Sequence, residues 1–386
     1  VTQPTLTTRA LNRALLARQS LLERAAGTSA VELVGSIGAL QAQYWPAPPV
    51  ALWSRLADFD AAELYAALAE RRLVTGTLLR ATLHLVTARD HPAYAVATDA
   101  SGATAWRRTG DRAPLPELER LRAQLPAFAA AGVGPRTAEE ITAFVEAHVA
   151  RLPAEAAPEE EVAWQREHGW RPFRGTVTLV RAPEDGEWGP GKPEAYLPGP
   201  GLTDPPDPEE ALREVIRRHL RAFGPAAPDD VAQWIGWRTT PVKAALADLA
   251  DELVCFREEG GGSRPLYDLP DAPRPPEDTP APVRLLPWFD SLLLAYAPAR
   301  RGRVLPEAHR AAVYAKANLQ VRPTFLVDGM VAGTWSLERR GRRAALTLRP
   351  LEPLTPATRR ALLDEAERLV HFCRPDATAH DVTLDE

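Results

Sequence analysis

The chain has 386 residues, about 45% of them hydrophobic and 25% charged, the profile of a globular protein built from two or three compact units. It holds no apolar run of about 18 residues, so no membrane span is expected, and its first residues lack a secretory core. Cys255 and Cys373 stand far apart and outside any metal-spaced cluster, which points to reduced thiols of a cytoplasmic protein with no metal and no cofactor motif. The net charge of -5 argues against indiscriminate nucleic-acid binding, but it hides a split. Residues 153–210 carry about 13 acidic and 5 basic side chains, and residues 284–349 about 12 basic and 4 acidic. A basic stretch of that kind is either a solvated face or the footprint of a nucleic-acid protein.

In chain order, residues 8–25 repeat leucines at helical spacing, and Gly27 serves as the stop. Thr28 and Ser29 can cap a second helix over about 30–40. At its end stand Gln41-Ala42-Gln43, then Tyr44-Trp45-Pro46. Two glutamines two apart diverge on a helix but share a side on extended chain, so a helix ending at Leu40 would aim both amides at one spot. The plainer alternative is a polar helix end with an aromatic anchor. Further helices are expected over 51–56 and 61–69. Leu79 to Leu85 then alternates strictly, with Arg80, Thr82 and His84 on the outer face of a half-buried strand that pairs with 74–77.

Helices followed by a hairpin describe a winged helix, and the order recurs. Thr137 and Glu140 form a capping box for a helix over 138–149, followed by a strand at 176–180, although an acidic insert around Pro158–Glu161 blurs this copy. Helices over 211–223, 228–234 and 239–253 precede a hairpin that turns at Gly260–Gly262. These groups divide the chain at 1–112, 113–205 and 206–270, with a proline-rich linker at 271–282 and a hairpin-and-helix region at 283–386. In the last region Asp328-Gly329 is a strong hairpin signal, a second hairpin turns at Arg339-Arg340-Gly341-Arg342-Arg343, and 355–372 is a terminal helix. The expected class is α+β, mainly helical, with three tandem winged helix-turn-helix units and β-hairpin wings. No long heptad segment is present, so the chain is expected to be a monomer.

Gly38 to Gln43, Arg80 to Val86, Leu285 to Asp290, and Arg322-Pro323-Thr324 with 327–335 occur in the order in which similar stretches occur in a known family. In these stretches the chain resembles the AlkZ/YcaQ-type winged-helix DNA glycosylases of bacteria. The resemblance implies a C-shaped arrangement around double-stranded DNA containing alkylated purines, and excision of N7-alkylated purines, with interstrand crosslinks opened by some members. It also implies that Gln41 and Gln43 are the catalytic pair of a Gln-apolar-Gln signature, although Ala42 is smaller than the usual apolar residue. Many relatives are known only as winged-helix DNA-binding proteins, so a non-catalytic DNA-binding protein or regulator is the competing reading.

The residue types fit the enzyme. A glutamine is neither acid nor base near neutral pH, but its carbonyl accepts and its amide donates. An N7-alkylated guanine is already cationic and leaves as a neutral base, so a water held near C1′ and a stabilised oxocarbenium suffice. Asp290 is the rival water-activating group, or a brace for the segment after Pro287. His84 is a candidate nucleic-acid contact or catalytic support, or an ordinary surface or supporting histidine. Trp288 and Trp335 are core residues or stacking platforms. Arg80, Arg322, Arg339, Arg340, Arg342 and Arg343 are the DNA-contact candidates.

Overall fold

The first helix, Thr8–Arg18, starts with the Thr7 hydroxyl accepting from the Ala10 amide but ends well short of residue 25. Ser20 turns left-handed at φ 53°, its amide donates to Ala17 O (3.2 Å), and Leu21 N donates to Leu16 O (2.9 Å). That pair of bonds closes the helix as a Schellman motif without a glycine, a signal absent from composition. The computed structural model describes residues 3–102, 115–261, 264–315 and 320–385. The expected boundary at 112/113 and the turn residue Gly262 lie outside them.

The fold is α+β, mainly helical with several small sheets. The chain forms two compact units, one of Val1–Asp60, Ile216–Trp234 and Thr239–Glu386, the other of Ala61–Val215 and Ile235–Arg238. In the first unit, Val254–Glu258 and Pro265–Asp268 make the expected hairpin, and Thr5–Leu6 joins it as a parallel third strand. The stretch after that hairpin holds no helix or strand, but it is tied along the first helix by Arg9 Nε to Glu277 O (2.8 Å) and Arg13 Nε to Thr279 O (2.7 Å). A five-stranded sheet follows, in the order Ala379–Leu384, Arg343–Pro350, Met330–Arg340, Thr324–Val327 and Arg284–Leu286. Asp328 (φ 45°) and Gly329 (φ 81°) form its tight turn, and a Cβ on Gly329 would lie 2.5 Å from Asn12 Oδ1. The helix Pro356–Cys373 covers this sheet, packing Leu362, Leu369 and Val370 on Leu285, Phe325, Trp335 and Leu348. Val50 of the helix Ala47–Trp53 belongs to the same core. The edge strand Ala379–Leu384 pairs parallel to its neighbour and was not expected, because its polar sequence carries no clean alternation.

In the second unit the strands run in the order Thr82–Thr87, Leu73–Leu78, Leu179–Ala182 and Ala195–Pro198. The helices Pro116–Ala130 and Ala138–Val149 bury Leu118, Leu125, Ile141 and Val145 against Trp170, Phe173 and Tyr196. The acidic insert is itself helical over Glu159–Glu167, with Glu159, Glu160 and Glu161 in the first turn, where acids complement the helix dipole. Among the described residues no helix is long and apolar enough to cross a membrane, and no group of three metal-ligating side chains occurs.

Candidate functional site

The helix Ala30–Ile37 opens on a Ser29–Glu32 capping box and ends three residues before the expected Leu40 end, with Gly38 as its C-cap. Gly38 sits at φ 83° and ψ -169°, a backbone conformation that L side chains rarely adopt, so the turn that launches the glutamine segment favours glycine even though a Cβ there would make only ordinary contacts with Ala222 (3.4 Å) and Phe223 (3.5 Å). The chain behind the segment is fixed from two sides. Gln19 Nε2 donates to Ile37 O (3.1 Å) and to Ala222 O (3.0 Å), and the Ser291 hydroxyl donates to Ala39 O (3.0 Å). Leu40–Gln41 is extended, but the chain bends at Gln43 and Tyr44 into the helix Ala47–Trp53. Pro48 and Pro49 open that helix instead of delaying it, since the first turn needs no proline N–H.

The bend alters the expected geometry. Gln43 is exposed, whereas Gln41 keeps only 9% of its surface exposed. The two amides therefore do not present equal faces, because the extended stretch is too short for the two-residue period to span both.

Asp290 is a brace. Its carboxylate is wholly buried and takes both terminal nitrogens of Arg55, at 2.9 and 3.0 Å, and the Leu292 amide at 2.9 Å. Arg55 in turn reaches Ala51 O (3.1 Å) and Gln19 Oε1 (3.4 Å), so the pair links the helix after the glutamines to the residue that holds the chain before them. Both Asp290 oxygens are thus engaged by Arg55 in the core. Sequence reasoning missed Arg55, Gln19 and Ser291. Only proximity in the fold connects them, and no local pattern marks it.

His84 and Arg80 also differ from expectation. The strand begins at Thr82, and Arg80 lies in the preceding turn at φ 56°. His84 is buried, not outward-facing, and its Nδ1 lies 3.0 Å from Thr82 O. Burial, with the Arg80 charge nearby, pushes the imidazole down to about 3 despite that backbone bond, so it is neutral at physiological pH. The alternation failed as a guide because both faces of this strand are covered: Leu83, Leu85 and Val86 are buried together with His84.

The arginine hairpin forms as expected, with Arg340 opposite Arg343 and Gly341 at φ 63°. Arg339 pairs with Asp376 (2.8 Å) and Arg343 with Asp381 (2.9 Å), while Arg342 is exposed at the turn. The described side chains do not include that of Arg340. Arg322 is exposed, and its amide donates to Val313 O (3.0 Å).

An aromatic cluster adjoins the glutamines in the chain. The Tyr44 ring meets Trp288 edge-on at 4.7 Å, and Trp288 meets Trp335 edge-on at 4.9 Å. Trp335 is core and donates from Nε1 to Leu286 O (2.9 Å), whereas Trp288 is only half-buried.

The model of a family described as DNA glycosylase AlkZ-like matches residues 34–372. An interstrand DNA cross-link repair glycosylase of Streptomyces sahachiroi is 27% identical over 348 residues, covering 83% of this chain and 85% of that protein. The solved structure of Streptomyces sahachiroi DNA glycosylase AlkZ aligns over 99% of this chain and 100% of its own, with a TM-score of 0.78 at 22% identity, a likeness of fold.

Proposed function

The chain belongs to the AlkZ-like DNA glycosylase family, and we propose that it is a monofunctional glycosylase that hydrolyses the N-glycosidic bond of cationic N7-alkylated purines in duplex DNA. Interstrand crosslinks joined through such purines are included in this reading. The observation that carries it is the exposed Gln43 on a bend whose approach is held at Ile37 and Ala39 by Gln19 and Ser291, with the mostly buried Gln41 two residues before it. Catalysis by positioning needs a group held in place, and a bend fixed through Gln19, Ser291 and the Arg55–Asp290 pair supplies that.

In this reading the Gln43 carbonyl accepts from a water and aims its oxygen at C1′. The amide dipoles of Gln43 and Gln41 stabilise the positive charge that grows on the sugar as the C1′–N9 bond lengthens. The electrons of that bond neutralise the purinium, so the base departs without a general acid. Asp290 and His84 act only as support, the first as a brace and the second as a neutral core residue. Arg80, Arg322, Arg339, Arg340, Arg342 and Arg343 contact phosphates and set register. We take the helix-and-hairpin groups as three winged-helix units that bind DNA, acting as a monomer at the nucleoid. The test is incubation of the protein with a duplex containing one N7-methylguanine, followed by alkaline cleavage at abasic sites. Strand breaks at the lesion are expected, and binding without breaks would favour the non-catalytic reading.

A further inference from the structure

Among the described residues only Tyr44 and Val133 are large apolar side chains left exposed, and Tyr44 keeps 43% of its surface open. A lone exposed tyrosine is ordinary. This one is not loose: its ring rests on Trp288, and Trp288 rests on the buried Trp335. Edge-to-face contacts at these distances fix ring orientation. The backbone beneath is strained as well, since Phe289 follows Trp288 at φ 55°, a conformation costly for a bulky residue. The neighbouring Asp290 is held by Arg55, which keeps that backbone in place. The fold therefore seats a partly exposed tyrosine ring on two tryptophans in edge-on contact, next to Gln43 in the chain.

The chemistry of a ligand follows from the charges present. The segment from Gly38 to Trp45 has no carboxylate, and the nearest acid in the brace, Asp290, is neutralised by Arg55. A cation arriving here meets amide carbonyls and aromatic π-systems, and the negative face of a ring attracts cations. We propose that Tyr44, backed by Trp288, is a specificity-determining platform that selects the lesion by its positive charge, binding the purinium ring of an N7-alkylated base through cation–π contact. The proposal rests on the glycosylase reading above and extends it: Gln43 acts on the bond, and Tyr44 reads the charge.

Two duplexes test it, alike except for one base. One carries N7-methylguanine on a 2′-fluoroarabino sugar, which slows cleavage and keeps the cation. The other carries 7-methyl-7-deazaguanine on the same 2′-fluoroarabino sugar, with the same shape and no charge. The wild type is expected to bind the cationic duplex roughly tenfold more tightly than the neutral one. Tyr44→Trp should widen the ratio, Tyr44→Phe keep it, and Tyr44→Leu bring it near one. Because Tyr44 is exposed, unfolding transitions of all four proteins should coincide, and the graded aromatic series separates charge reading from loss of fold. A ratio unchanged in Tyr44→Leu, or near one in the wild type, overturns the platform. If the wild type shows the ratio but releases no N7-methylguanine, the catalytic reading fails and the platform stands. Release of N7-methylguanine without any ratio overturns the platform and leaves the catalytic reading standing.

Discussion

The glutamine bend and the arginine hairpin are both marked in the sequence, yet they are built in opposite ways. Bonds from Gln19 and Ser291 and the buried Arg55–Asp290 pair hold the bend, so its geometry is set by groups that water does not reach. The hairpin tip is held by its turn and by surface pairs, Arg339–Asp376 and Arg343–Asp381, in which every partner is substantially exposed. Buried pairs are costly to break from one side, whereas exposed pairs are worth about 0–1 kcal/mol. The difference separates two jobs: a bond-breaking group has to be fixed within a fraction of an ångström, while a phosphate contact works through charge and tolerates motion.

The comparison breaks most visibly at the brace. Asp290→Ala strands Arg55 as an unpaired buried charge and is expected to cost about 3–5 kcal/mol of stability, measured by urea unfolding. A loss below about 1 kcal/mol would mean the bend is not held this way. Next comes Gln43→Ala, which should lower single-turnover excision about 10²–10³-fold while duplex affinity stays nearly constant. Equal activity would move the chemistry off the glutamines.

Acid probes the buried side again. His84 is pushed down to about 3, and His91 and His219 to about 4, each mainly by burial. The unfolded chain takes up protons on these groups below about pH 6.5, and the folded chain does not. Stability is therefore complete above that pH and falls as pH drops towards the folded values, by up to about 1.4 kcal/mol per pH unit for each histidine. Stability that is flat between pH 6.5 and 4.5 would show that these rings reach water. The smallest effect belongs to the hairpin. Replacing Arg339, Arg340, Arg342 and Arg343 by Gln should weaken binding to all duplexes alike and flatten the salt dependence by about 0.9 for each phosphate no longer neutralised. An unchanged slope would place the hairpin away from DNA.

Local chemistry was legible where one residue type dictates one geometry. Asp328-Gly329 made its turn, Thr137 and Glu140 their capping box, and Gln41-Ala42-Gln43 lay at a helix exit. What depended on distant partners was not. The first helix stops through a left-handed Ser20, and no composition rule marks that. The strand carrying His84 looked one-sided because alternation reports side-chain polarity, not what covers each face. The unequal exposure of Gln41 and Gln43 arises from a bend after Ala42, and the brace joins Arg55 to a residue far along the chain. Trp288, open in the sequence to either a core or a stacking role, is half-buried, and its ring meets both the buried Trp335 and the exposed Tyr44.

The central claim is that neutral amides restrict the enzyme to lesions that carry their own positive charge. The direct measurement is single-turnover base release from duplexes that each hold one N7-methylguanine, N3-methyladenine, uracil, 1,N6-ethenoadenine or 8-oxoguanine. Release of the two cationic bases, with the three neutral ones intact, is the expected result. Efficient release of uracil would contradict the account, because a neutral leaving base needs an acid or base that Gln41 and Gln43 cannot provide.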